Sequence, residues 1–206
     1  MYHREAYTSN IDAVTRLIGM PETPTLRDRI AAGILDTAAA VLAERGGASM
    51  TEIANVAGVS RATLYRYFPT REALLNALAK AASTELRGRI ADAELDTIPV
   101  PEAIARLTRG FVLAGSKYVA LAHLGHKPPD ADQTQQDLAE PVYRLVSRGI
   151  ADGTFRPDLT PEVLVQIFSG LLETAIRVSG QAGAEKASAA IISVFLDGSR
   201  PRLDKG

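Results

Sequence analysis

Apolar residues recur along this chain at the three-and-four spacing of one helical face, and no stretch alternates strictly as a strand would. The pattern predicts an all-α protein of about nine helices. Thr25, with Asp28 three residues on, opens a long helix whose inward face is Ile30, Ile34, Leu35, Ala38, Val41 and Leu42, and Gly46 and Gly47 stop it. Ser49 and Glu52 repeat the capping signal for a short helix over 50–57, with Ile53, Ala54 and Ala57 inward. Gly58 supplies the permissive backbone for a turn, Val59 plugs the joint and Ser60 caps a helix from Arg61 to Phe68. In that helix Leu64 and Phe68 point inward, which leaves a polar face of Arg61, Thr63, Tyr65, Arg66 and Tyr67.

The rest of the chain reads as longer helices. Thr70 caps one carrying Leu74, Leu75, Leu78 and Leu86, and a loop spans 96–101. Glu102 to about Leu124 is helical in pattern, 127–132 is a Pro/Asp loop, and Gln133 to Asp152 buries Leu138, Val142, Leu145, Val146 and Ile150. Thr160-Pro161-Glu162 starts a helix over 163–178, and Gly180 and Gly183 separate it from a last one over about 184–197. Ahead of all this, 1–24 carries Ile11, Val14, Leu17 and Ile18 at helical spacing before Pro21 and Pro24. That extension either packs on the neighbouring helices or stays disordered. The predicted organisation is therefore an extension (1–24), a small helix-turn-helix head (25–80) and a larger helical body (81–206).

A short helix, a glycine turn and a second helix with a polar face make a DNA-reading unit. Arg61 is the best base-reading candidate, because a guanidinium bonds both acceptors of a guanine edge. Thr63 offers a hydroxyl or a methyl, Ala62 fits against a thymine methyl, and Ser60 and Thr51 lie beside them at helix starts. Arg66 either reaches a phosphate or stays in solvent. Taken singly, each arginine and tyrosine here also fits a solvated or packing role.

Ile53-Ala54, Ala57-Gly58-Val59-Ser60, Thr63-Leu64-Tyr65-Arg66-Tyr67-Phe68 and Arg71-Glu72-Ala73-Leu74-Leu75 closely resemble the helix-turn-helix domain of the tetracycline-repressor (TetR) family. The resemblance covers about 26–80. It implies phosphate contacts from the hydroxyls of Tyr65 and Tyr67 and from Arg71, where the family usually has lysine. It also implies a homodimer built on the last two helices of each subunit and a repressor relieved by a small molecule.

Composition refines this picture. A net charge of −1 looks wrong for a nucleic-acid binder, yet seven basic residues face five acidic ones over 26–80, a local +2. Over 130–162 seven acids face three arginines, a local −4, so the two ends carry opposite fields. A weakly basic head suits a dimer reading one defined site. The absence of cysteine excludes disulfides and thiol catalysis, and no basic-then-apolar leader or uninterrupted membrane-length apolar run is seen, which leads to a cytoplasmic expectation.

In the last two helices apolar residues span more than one face, so Ile167, Leu171, Ala175, Ile191, Val194 and Phe195 are candidates for a dimer interface, with one monomer's core as the alternative. Phe111, Tyr118, His123, His126, Tyr143, Phe168 and Glu173 are aromatic or polar groups among aliphatic helices, fit either to line an effector pocket or to serve as core and surface. His123 and His126 have a spacing compatible with metal ligation, but no third ligand is fixed by pattern, and neither metal nor cofactor is expected. No catalytic or nucleotide-binding fingerprint appears, so a helical enzyme is the weaker alternative and a DNA-bound architectural protein without effector a further one.

Overall fold

A computed structural model of the chain describes residues 25–201; within that span the side chains of 116–120, 122 and 123 lie outside the description. Eight helices and no strand occur among the described residues: α1 (Leu26–Glu44), α2 (Met50–Val56), α3 (Arg61–Tyr67), α4 (Arg71–Asp92), α5 (Val100–His123), α6 (Ala131–Ala151), α7 (Pro161–Ala182) and α8 (Ala184–Ser199). The ninth helix expected, over the 1–24 extension, lies outside the described residues.

Capping chemistry fixes most helix starts where the sequence placed them. Thr25 and Ser49 each form a full capping box, with Asp28 and Glu52 respectively, and Thr70 accepts from the Ala73 N–H at 3.0 Å. Several boundaries differ from expectation, among them the start of α6 at Ala131, inside the loop expected over 127–132. α5 begins at Val100, since Pro99 O already accepts the Ala103 N–H at 2.9 Å and Pro101 is tolerated in a first turn. α7 runs through Gly180 to Ala182, because an interior glycine costs only about 1 kcal/mol. The helix stops at Gly183, whose φ of +85° breaks the path.

Two apolar clusters organise the packing. Ile34, Ala38, Leu42, Ile53, Leu64, Phe68, Leu74 and Leu78 form the first, joining α1 to α4. Ile104, Leu107, Leu145, Val146, Leu164, Phe168 and Phe195 are central to the second, where Phe195 meets Phe168 at 4.9 Å and Phe155 at 5.5 Å. No linker divides them. α4 contributes Leu74 and Leu78 to the first cluster and Ile90 to the edge of the second, so the division expected at 80 falls inside one helix. α5 contributes Ile104 and Leu107 to the second, while Leu121 and Leu124 at its far end pack on the first. At 24 residues it spans about 36 Å and touches α1, α4, α6, α7 and α8.

Two arginines staple loops to these helices. Arg148 of α6 donates to the carbonyls of Leu95 and Ile98, holding the loop between α4 and α5, and Arg71 at the start of α4 donates to Gly46 and Ala48 between α1 and α2.

Candidate nucleic-acid interface

The turn between α2 and α3 is closed by backbone bonds that leave little freedom. Val59 N–H donates to Ala54 O at 3.0 Å and Gly58 N–H to Asn55 O at 3.2 Å, the paired bonds of a Schellman ending. Gly58 sits at φ +67°, a region in which a Cβ is strained. Two residues later the Ser60 hydroxyl accepts the Thr63 N–H at 3.0 Å and starts α3. Leu64 is fully buried beneath the helix, a contribution of about 1.5–3 kcal/mol, and anchors its inner face. The orientation of α3 is thus fixed from both its turn and its core side.

Ser60, Arg61, Ala62, Tyr65 and Arg66 are exposed on the outer side of this unit. Thr63 is half-buried and its hydroxyl lies 2.9 Å from Ser60 Oγ, so the methyl is its freer contact group. Thr51 is half-buried in the first turn of α2. Tyr67 is half-buried, and two guanidinium groups lie over its ring, Arg66 at 5.6 Å and Arg27 of α1 at 5.9 Å. Arg66, left open between phosphate and solvent by the sequence, is therefore held beside an aromatic face. Arg71 has other partners than the phosphate expected of it: its half-buried guanidinium donates to Gly46 O at 2.8 Å and to Ala48 O. Nothing in the sequence pattern alone pointed to that staple, since both carbonyls belong to a turn more than twenty residues away.

The expected effector residues are spread over the body. Phe168 is 1% exposed in the core against Phe195, and Phe111 is half-buried at its edge. Tyr143 is exposed and its hydroxyl donates to Glu162 at 2.8 Å; that carboxylate holds the phenol above its usual range. Glu173 is exposed on α7, and the side chains of Tyr118 and His123 lie outside the described residues. None of the described clefts unites them. One of about 310 Å³ opens between the end of α4 and α6, lined by Ile90, Glu94, Thr97, Pro141 and Arg144 among others. His126 Nε2 lies 2.8 Å from Asn76 Oδ1, tying the end of α5 to α4, and no trio of potential metal ligands occurs among the described residues.

The six interface candidates divide. Ala175, Ile191 and Phe195 are buried within the subunit, so they have no surface to offer a second copy. Ile167 and Val194 are 44% and 59% exposed, and Leu171 is half-buried. Val163 and Val178, also exposed, extend the same apolar side of α7. By length and composition α7 is apolar enough to cross a membrane, with a mean hydropathy of 1.3. Here it packs on α5, α6 and α8 and leaves this second apolar side uncovered.

Residues 34–78 match the model of the bacterial regulatory proteins of the tetR family. The regulator NfxB of Pseudomonas aeruginosa is 27% identical over 172 residues, 80% of this chain and 91% of its own. The repressor LfrR of Mycolicibacterium smegmatis is 40% identical over 81 residues, 39% of this chain and 43% of its own. A crystal structure of LfrR in complex with proflavine superposes with a TM-score of 0.70 at 26% identity, covering 84% of this chain and 98% of that one. Residues 34–78 are thus a DNA-binding domain of the TetR type. The chain is a DNA-binding transcriptional regulator, and the α2–α3 unit is its helix-turn-helix. The ketosteroid regulator KstR2 of Mycobacterium tuberculosis shares the same all-helical TetR architecture, with a TM-score of 0.72 at 21% identity over 88% of this chain and all of that one.

Proposed function

We propose that this regulator is a cytoplasmic homodimeric repressor that holds a pseudo-palindromic operator and is released from it by a small molecule bound in the body. In this reading residues 25–80 form the DNA-reading head and 81–206 the effector and dimerisation body. Arg61, Ala62 and Thr63 at the start of α3 meet base edges, and Ser60, Thr51, Tyr65 and Tyr67 meet the backbone. Two heads of one dimer enter successive major grooves about 34–36 Å apart. The dimer forms through the uncovered side of α7 and α8, where Ile167, Val178 and Val194 stand among Gly170, Ala189 and Ala190, small residues that let helices of two subunits approach.

The observation that carries the release step is the seating of α5. One end is packed in the body core and the other, through Leu121 and Leu124, against the core beneath α3. A ligand that shifts α5 within the body displaces the floor of the head, and its coupling energy equals the difference in its affinity for the two arrangements. The ligand would lie beside α5, with Phe111, Tyr118 and His123 on that helix and Tyr143, Phe168 and Glu173 on its neighbours as the groups to test.

The test is to select duplexes from a randomised library with the full-length protein, then titrate the bound duplex with small molecules, beginning with the proflavine that LfrR binds. Enrichment of an inverted repeat and then ligand-dependent release support the proposal. No enrichment over background overturns site-specific reading, and an enriched duplex that no ligand releases favours an architectural role.

A further inference from the structure

Tyr67, at the end of the recognition helix, and Arg27, in the first turn of α1, come from elements forty residues apart and meet at one cleft. The cleft measures about 330 Å³ and is lined by Leu26, Arg27, Ile30, Arg66 and Tyr67, with no acidic residue among them. Both guanidinium carbons lie within 6 Å of the centre of the Tyr67 ring, Arg27 at 5.9 Å and Arg66 at 5.6 Å. A guanidinium against an aromatic face spends its flat side on the ring and keeps its in-plane N–H donors for other partners. Neither arginine forms an ion pair with another described residue.

Arg27 is also on the wrong end of its helix for stability. A cation in a first turn is disfavoured by the helix dipole, and Asp28, the acid that suits that position, is already committed to Thr25. Asp28 attracts Arg27 from beside it, but no described carboxylate lines the cleft itself, so two cations drawn to one ring favour an anion there. The position of the cleft says which anion. Tyr67 lies six residues beyond Arg61, about 9 Å along α3, so when Arg61 faces bases the cleft lies toward the edge of a groove about 12 Å wide, where the phosphates run.

We infer that Arg27 and Arg66, both held beside the Tyr67 ring at one cleft, form a two-guanidinium clamp for a DNA backbone phosphate, which makes α1 part of the DNA-contacting surface. The inference rests on the proposed role of α3 as the base-reading helix. The clamp carries affinity and no sequence preference, because a phosphate is the same under every base.

The experiment uses the full-length protein, the duplex selected from the randomised library and a scrambled duplex of equal length. Affinities of wild type, Arg27→Gln, Arg66→Gln and the double variant are measured by fluorescence anisotropy between about 50 and 200 mM salt. Each single variant removes one phosphate-neutralising cation per subunit. With two subunits on the site, the log–log salt slope should flatten by up to about 1.8, so the fall in affinity across that range shrinks by about tenfold. The weakening should be equal on both duplexes, and thermal melts should not fall, because both side chains are exposed and Arg27 opposes its helix dipole. An unchanged slope in Arg27→Gln with normal melting overturns the clamp, as does weakening confined to the selected duplex, which would mark a base contact. Failure of the selection itself overturns the α3 reading instead, so the two failures are distinguishable.

Discussion

Replacing Arg71 separates two accounts of the same side chain. The family resemblance implies a phosphate contact, whereas the structure commits its guanidinium to the carbonyls of Gly46 and Ala48. Those carbonyls lie in the turn that leads into Ser49 and hence into α2. Charge-assisted hydrogen bonds contribute about 1.5–3 kcal/mol each, but this side chain is only half-buried, so solvent screening reduces the pair to about 2 kcal/mol in total. For a chain of this size that corresponds to a fall in Tm of about 4–8 °C for Arg71→Ala. Arg71→Lys is the decisive companion. It retains the positive charge a phosphate would feel and loses the fork that bridges two carbonyls, so it should melt nearly as low as the alanine variant. Calorimetry without DNA, paired with operator affinity across a salt series, reads both effects. If Arg71→Lys melts like wild type while Arg71→Ala loses only salt-dependent DNA affinity, the staple has no energetic weight and Arg71 is a phosphate contact.

Packing and capping lead to three further expected outcomes. Val194→Asp and Ile167→Asp each place a charge on the uncovered side of α7 and α8 without touching the subunit core, so light scattering should record a monomer with unchanged helical circular dichroism and much weaker operator binding. A folded dimer in both variants would remove that face from the interface. Asp28 and Glu52 have their carboxyls held below the ordinary range by hydrogen bonds from Thr25 and from Ser49, respectively. Depressed folded-state values stabilise above the unfolded pKa and lose that contribution as pH falls through the folded one; Tm should therefore drop on acidification, and Glu52→Gln should flatten the drop, measured as Tm against pH. Finally, a Cβ on Gly149 would fall 2.4 Å from Cδ2 of the buried Phe155, while one on Gly33 meets nothing within 4 Å. Gly33→Ala should then stabilise by about 0.5–1 kcal/mol and Gly149→Ala destabilise by about 1–3 kcal/mol despite its better helix propensity, as denaturant titration would show.

Short-range chemistry decided which features could be read in the chain. The caps at Thr25, Ser49, Ser60, Thr70 and Thr160 name their helices because a side chain and an amide three residues apart settle the matter locally. Leu64 was legible as an anchor for the same reason, its spacing from Phe68 being one helical turn. Gly180 misled because a glycine marks a helix end only when its φ turns positive, and that happens at Gly183. Arg71 was the harder case, since its partners are distant in sequence and no periodicity encodes them. Ala175, Ile191 and Phe195 share the composition of an interface but are used up inside the subunit, a distinction set by how α5, α7 and α8 pack. The pairing of Arg27 with Tyr67 likewise needs α1 and α3 to be placed side by side before it exists at all.

The seating of Leu121 and Leu124 has a practical consequence for anyone who treats the head as a detachable module. A fragment cut after residue 80 would carry an apolar floor stripped of its cover and would be prone to aggregate. A chimera that joins this head to a foreign body inherits the same bare floor unless the donor helix supplies residues of matching shape at the tip of its own α5. Specificity for DNA is therefore transplantable only together with a few side chains that lie more than forty residues downstream and touch no DNA.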